Sequence, residues 1–242
     1  MSREAQTEQG WMGRLARRSG VSRFALWIIR GEIEGVSARI QAALRPSLRR
    51  AVRDVRARRA VLANIGCGPY PLADFVNVDL RRFSPSTLVW DCRRSLPFAT
   101  ESCRGIRIEH FVEHVDPRDE LPSLFRECRR ALVPGGVLRI IVPDAGRLLL
   151  AYAQGGRAAF DALGVPNPFP ADLPSAMDVV NHTFHQWHEH RWAYDEENLT
   201  ARLHDSGFAT TCRARFGASQ LPALAHDRPE HAPYSLYVEA IR

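Results

Sequence analysis

The run Val61-Leu62-Ala63-Asn64-Ile65-Gly66-Cys67-Gly68 joins an apolar stretch to a Gly-x-Gly turn. This is how a parallel strand delivers backbone N–H groups to a nucleotide-like ligand at its carboxyl end. Eleven residues beyond Gly68, a second apolar run, Phe75-Val76-Asn77-Val78, ends in Asp79, an acceptor placed where a ribose hydroxyl pair would lie. A third run, Leu88-Val89-Trp90, ends in Asp91. Strands that finish in a turn glycine or a carboxylate line one sheet edge with polar groups, and open α/β folds hold ligands on that edge. The chain therefore reads first as a cofactor binder. Imidazoles offer a second chemistry. His110 and His114 flank Phe111-Val112-Glu113, and His182, His185, His188 and His190 crowd a short segment. A histidine titrates near neutral pH and can act as a base or ligate a metal. The dense group falls in a stretch with no clear helix to align its rings and is interleaved with Trp187 and Trp192, so no metal is assigned to it.

The elements that must position these groups alternate strand and helix after residue 60, which predicts a parallel sheet. Pro69, Pro71 and the short spacing from Gly68 to Asp79 leave a loop, rather than a helix, between the first two strands. Asp116-Pro117 reads as an N-cap with proline at the first helical position, Leu121, Leu124, Phe125, Cys128 and Leu132 mark a buried face, and Gly135 ends the helix. Residues 145–190 are irregular and rich in Pro, Gly and aromatics, which predicts a lid or wall. Asp195 caps a helix with Leu199 and Leu203 inward and Gly207 at its end, leaving Phe208–Ala214 and Tyr234–Ile241 for the last two strands.

The chain has 242 residues, 45 % hydrophobic and 25 % charged, which suits one main domain with an appendage. All 33 basic residues are arginine, and they are unevenly placed: residues 1–59 carry 14 against 5 acids, residues 60–242 carry 19 against 22. The basic segment holds Ile33, Val36, Ile40 and Leu44 at helical spacing, and Pro46 opens a second helix with Leu48, Val52 and Val55 on one face. Residues 1–20 read as frayed. Such helices can pack on the domain or on a second copy of the chain, or can meet a membrane surface or an acidic partner. Few aromatics lie among the arginines and no recognition motif is present, so nucleic acid is not an expected partner. The five cysteines are odd in number and lack paired metal-ligand spacings, which predicts reduced thiols in a cytosol. Phe24–Ile29 is too short to span a bilayer and lacks a cleavage pattern, so no signal peptide is read and a cytoplasmic protein, with the inner membrane face as a second option, is expected.

From about Ala60 to the C-terminus the order of these elements resembles the class I S-adenosylmethionine-dependent methyltransferases. The resemblance rests on Gly66-Cys67-Gly68, Asp79, Leu96-Pro97-Phe98, Glu109-His110-Phe111-Val112-Glu113-His114, Pro134-Gly135-Gly136 and the run Val137–Asp144. It implies a Rossmann-like, mostly parallel sheet with an antiparallel last strand, here carrying an N-terminal helical extension over 1–59. S-adenosyl-L-methionine would be held by Asn64, Gly66, Cys67, Gly68, Asp79, Asp91 and Glu109, with Asp79 at the ribose and Asp91 at the adenine. His110, after the fourth strand, would lie beside the transferred methyl as a candidate base. His190, with Trp192 and Tyr194, would close the acceptor pocket. Within the family the chain is most similar to small bacterial methyltransferases of surface-polysaccharide pathways, on His190-Arg191-Trp192 and Asp195-Glu196-Glu197, which implies O-methylation of a glycan or other cell-envelope precursor. Departures are Asn64 for an acidic residue that meets the methionine ammonium, Tyr70 at the third glycine position, Arg104 for an aspartate, and Glu109 for a smaller polar residue. Two rival readings follow: a nicotinamide-dependent reductase sharing Gly-x-Gly and Asp79, and a non-catalytic cofactor-binding scaffold in polysaccharide assembly.

Overall fold

In the computed structural model, residue 18, residues 20–163, residue 173 and residues 175–242 are described. The frayed reading of residues 1–20 therefore lies almost wholly outside the described part. Two helices lead in. α1 (Arg23–Leu44) is capped by Ser22, whose side chain accepts the Ala25 N–H, and α2 (Pro46–Ala57) opens on proline, which has no N–H to leave unpaired. Seven strands follow: β1 (Val61–Ile65), β2 (Val76–Asp79), β3 (Thr87–Val89), β4 (Cys103–Glu109), β5 (Leu132–Pro143), β6 (Thr210–Arg213) and β7 (Ser235–Ile241). They form one sheet in the order β3-β2-β1-β4-β5-β7-β6. Pairs from β3 to β5 are parallel, and β7 is antiparallel to both β5 and β6. β1 is buried throughout, as a parallel strand covered on both faces must be.

The loop predicted between β1 and β2 is observed, as are the Asp195 cap, whose carboxylate accepts from Asn198 N at 2.9 Å, and helix α7 (Glu196–Asp205) behind it. Three local expectations need correction. Helix α3 begins at Leu121, not after Asp116; the Asp116 carboxylate instead accepts the Arg118 and Asp119 N–H groups in a turn that precedes it. That helix stops at Ala131, and Pro134-Gly135-Gly136 lies inside β5, where Gly135, at φ +77°, donates its N–H to Arg242 O. A left-handed glycine serves equally as a helix stop or as a kink in a strand. Pairing with the chain terminus decides for the kink here. Finally, the described residues of 145–185 hold helices α4 (Ala145–Gly155), α5 (Arg157–Ala162) and α6 (Ala176–His185) where an irregular segment is expected. These pack on one another through Leu148, Ala151, Phe160, Val179 and Val180 in a small core of their own.

The main core lies on the sheet face covered by Leu48, Val52 and Val55 of α2, Leu121, Leu124 and Phe125 of α3, and Leu199 and Leu203 of α7. On the other face the segment returning to β7 covers Leu62, Phe75 and Val137 with Leu224. Arg139, wholly buried in β5, fastens that segment. Its guanidinium meets Asp227 at 2.6 Å and Glu239 at 2.8 Å and also donates to the carbonyls of Arg215 and Ala218, so the buried charge is compensated on every side.

Candidate functional site

The glycine turn sits at the carboxyl end of β1. Gly66 has φ +65°, and a Cβ there would fall 2.6 Å from the Phe111 ring, so only glycine lets β1 and the end of β4 come this close. The Val78 carbonyl takes the Gly66 and Cys67 N–H groups, and the Gly68 N–H donates to Asp79 Oδ2 at 2.9 Å. Above Gly68, itself at φ +52°, a Cβ would meet nothing within 4 Å. Asp79 also accepts from Arg81 N at 3.0 Å. Burial pushes its carboxyl above the usual range, opposed by these N–H groups and by Arg81. The carboxylate keeps acceptor capacity beyond those two bonds, which a ribose diol could use. Cys67 is buried beneath the turn, and burial, with Asp79 nearby, raises its thiol to about 12, which removes it as a nucleophile.

At the other end of the same cleft, β4 alternates Arg107 and Glu109 toward one face. Arg107 donates to Glu109 at 2.6 Å and Arg228 donates to it at 2.7 Å. Against burial, these two guanidinium groups hold the Glu109 carboxyl below its ordinary value. Asn64 is fully employed: its amide NH2 bonds Asn77 and the Tyr70 carbonyl, and its oxygen accepts from Arg107. Arg228 also lies 4.3 Å above the centre of the Tyr70 ring. Asn64, Gly66, Gly68, Glu109, His110 and Arg228 thus share one cleft of about 130 Å³. Small-molecule sites span roughly 300–1,000 Å³, so the cleft as it stands is smaller than most of them.

Asp91 ends β3 as the sequence predicts but faces a different partner. Arg39 of α1 approaches one oxygen at 2.7 Å, and Arg93 binds the carboxylate through Nε at 3.0 Å. In this arrangement the carboxylate fastens the N-terminal helix across the β2–β3 edge.

His110 is the first residue past β4, and its backbone is strained, at φ +49°. Its N–H is anchored on the Ile141 carbonyl at 2.8 Å. Nε2 lies 3.0 Å from Ser235 Oγ, and Nδ1 lies 3.2 Å from Glu113 Oε1. His231 packs its ring 4.1 Å from that of His110. Against complete burial, chiefly the His110 imidazole holds the Glu113 carboxyl low, at about 2. His190 is on the far side of Glu113 and does not line the cleft. It is buried, burial lowers its imidazole to about 4, and its Nδ1 bonds the Thr183 carbonyl at 2.6 Å. Of the crowded histidines, His182 and His185 lie on α6, so the loop reading of that group is corrected; His190 alone joins Glu113 and His114.

Sequence reasoning missed Arg107, Arg228, His231 and Ser235. Arg107 had a signal, since it stands two residues before Glu109 on a strand and must share its face. The others come from the segment leading into β7, whose return to the cleft depends on long-range pairing with no local mark.

Comparison with known proteins bears on this arrangement. Residues 72–140, from the loop before β2 into β5, match the family model described as "Methyltransferase domain". Solved structures with similar folds include a SAM-dependent methyltransferase from Archaeoglobus fulgidus (19 % identity, covering 84 % of this chain and 94 % of that one, TM-score 0.46). Another, from Mesorhizobium loti, is also a SAM-dependent methyltransferase (18 % identity, 81 % and 96 % covered, TM-score 0.44). A third, from Thermotoga maritima, is described as a possible histamine N-methyltransferase (15 % identity, 90 % and 97 % covered, TM-score 0.45). No curated protein matches the chain. The reductase alternative fails on topology, because dinucleotide folds run 3-2-1-4-5-6 in parallel whereas here an antiparallel β7 is inserted beside β5. The matched methyltransferase-domain model thus spans β2, β3, β4 and the first part of β5, the strands that flank and form part of the cleft.

Proposed function

We propose that the chain is an S-adenosylmethionine-dependent methyltransferase that acts on oxygen, on a carbohydrate or another cell-envelope precursor, with His110 as the base. S-adenosylmethionine, when bound, supplies a methyl group on a sulfonium, and the protein must hold donor and acceptor along one axis. Gly66, Gly68 and Asp79 are the residues that would hold the cofactor's nucleoside. A hydroxyl is a poor nucleophile until its proton leaves, and a positioned base contributes about 10²–10⁴ in rate. The observation that carries this reading is the His110 imidazole, in a strained backbone at the cleft, with Glu113 on one ring nitrogen and Ser235 on the other. A carboxylate beside an imidazole orients it and stabilises the cation formed when it takes a proton. A glycan acceptor is supported by the resemblance to surface-polysaccharide methyltransferases. The non-catalytic scaffold has no use for a carboxylate-backed imidazole at the cleft.

The basic N-terminal helices are assigned to a peripheral contact at an anionic membrane face of the cytoplasm. Ile29, Ile33, Val36, Ile40 and Leu44 form an exposed stripe along α1, and Arg45, Arg49, Arg50, Arg53 and Arg56 are exposed next to it. Among the described residues no helix is long and apolar enough to cross a membrane. The deciding experiment for the acceptor is mass spectrometry of cell-envelope glycans with and without the gene. Loss of one methyl group from a sugar supports the reading; an unchanged methylation pattern, with transfer to an amine acceptor in vitro, overturns it.

A further inference from the structure

Glu113 follows β4 in a short 3-10 turn and is only 1 % exposed, yet neither of its carboxylate oxygens accepts a well-aligned hydrogen bond. A buried ionised carboxylate left in this state is costly unless a cation stands opposite it. His110 approaches one oxygen from the cleft side. On the other side are two imidazoles whose orientation is fixed. His114 Nδ1 lies 3.0 Å from the Glu189 carbonyl, and His190 Nδ1 lies 2.6 Å from the Thr183 carbonyl. A carbonyl can only accept, so Nδ1 carries the hydrogen in both rings and Nε2 is left with a lone pair. A backbone carbonyl on one ring nitrogen is the arrangement that orients histidines for metal binding through the other. The two rings are 4.9 Å apart, and one donor atom from each of Glu113, His114 and His190 can be chosen so that all lie within 4.8 Å of one another.

We propose that Glu113, His114 and His190 form a binding site for a divalent transition-metal ion, of the zinc or iron(II) class. Two imidazoles and one carboxylate select such ions over calcium or magnesium, which prefer oxygen throughout, and they leave a coordination position open. Bond lengths of about 2.0–2.2 Å require donors drawn closer than 4.8 Å, so binding would shift the Glu113 carboxylate toward the two fixed rings. The ligands come from distant parts of the chain. The Glu113 carbonyl already accepts the N–H groups of Arg191, at 2.7 Å, and Trp192, at 3.3 Å. An ion would add a second fastening between the end of β4, where His110 begins, and the segment behind α6. Tyr194, whose buried hydroxyl has no hydrogen-bond partner, is packed in the same crevice as Glu113 and His190.

The test needs neither cofactor nor acceptor. Full-length protein is stripped with a chelator, dialysed and titrated with Co²⁺ as a spectroscopic probe, then with Zn²⁺ in competition. One equivalent of Co²⁺ should bind with visible d–d bands, Zn²⁺ should displace it, and Zn²⁺ should raise the melting temperature. Glu113→Gln, which keeps the shape of the side chain, and His190→Ala should abolish binding, whereas His185→Ala, at the end of α6 and outside the triad, should retain it. Should the triad variants fail to fold, X-ray absorption of the zinc-loaded wild type decides, with two imidazole ligands and no sulfur expected. Absence of stoichiometric binding, sulfur ligation, or equal binding in folded Glu113→Gln and wild type would overturn the proposal.

Discussion

Arg39, on the face of α1 turned toward the sheet, sets its guanidinium 2.7 Å from the carboxylate of Asp91 at the end of β3. Gly35, one turn earlier, runs so close that a Cβ there would fall 2.4 Å from an Arg93 nitrogen and 2.8 Å from Asp91 Oδ2. Asp91 is buried and shared by two arginines, while Arg39 is half-exposed. Losing Arg39 leaves the carboxylate with Arg93, so Arg39→Ala should cost under about 1 kcal/mol in urea unfolding. Losing Asp91 removes the centre of the cluster. Asp91→Ala should cost more, toward the roughly 3–5 kcal/mol of a broken buried pair, tempered because Arg93 keeps Glu32 and Glu120. Equal, small losses would show that α1 is not held through this carboxylate.

Asp79 pins the glycine turn through Gly68 N, accepts from Arg81 N and retains further acceptor capacity. Calorimetry with S-adenosylhomocysteine should show Asp79→Ala weaker by about 1.5–3 kcal/mol, the range for hydrogen bonds to a charged group. Gly68→Val should weaken binding too, because the side chain would enter the open space above the turn in a left-handed backbone. Unchanged affinity in Asp79→Ala would remove this residue from the site.

Both the sheet and the glycine turn at its edge were legible because their signals are local. Apolar runs ending in Gly66 or Asp79 mark a strand and its ligand edge within a few residues. Partners set by tertiary approach were not. Asp91 reads as a strand-end acceptor, and nothing near it in sequence tells of Arg39 crossing from α1. Glu113 reads as one residue of an acidic–histidine motif, and its pairing with His190 depends on how residues 183–192 fold back on the end of β4. Gly135 shows the limit of a single-residue signal, since the same positive φ fits a helix stop and a strand kink.

The exposed stripe on α1 spans Ile29 to Leu44, beside the exposed arginines of α2. Vesicle co-sedimentation should therefore require anionic lipid and weaken as salt rises, because charge attraction to a surface falls off within a Debye length. A charge pair, Ile33→Glu with Ile40→Glu, should abolish it and leave the fold intact. Concentration-dependent dimerisation lost in that same variant, with no lipid binding in wild type, would assign the stripe to a second copy of the chain instead.

His110→Ala should lower kcat by roughly 10²–10⁴ if the imidazole takes the acceptor proton, with cofactor affinity nearly intact. Ser235→Ala, which removes the partner of Nε2, should give a smaller loss in kcat. If His110 only positions the cofactor, calorimetry will show the affinity fall instead and kcat will change little at saturation.

His231 gives the fold an acid-sensitive point. Its ring faces His110 at 4.1 Å and Tyr234 at 5.5 Å, with Arg228, Glu109 and Glu113 around it. Burial, reinforced by His110 and Arg228, lowers its imidazole from 6.5 to about 3, more than the two carboxylates can offset. The folded chain therefore keeps His231 neutral where the unfolded chain protonates it. Its contribution to stability is fully present above 6.5 and is lost as pH falls from there toward 3, with a slope of up to about 1.4 kcal/mol per pH unit. His190, also lowered, to about 4, acts in the same direction. Carboxylates held low, such as Glu109, contribute only below their ordinary range. Urea unfolding at about pH 7 and about pH 5 separates the histidines from the carboxylates held low. His231→Gln should lose less stability than wild type between these two conditions, and an identical loss in both proteins would show that His231 is not the group that titrates.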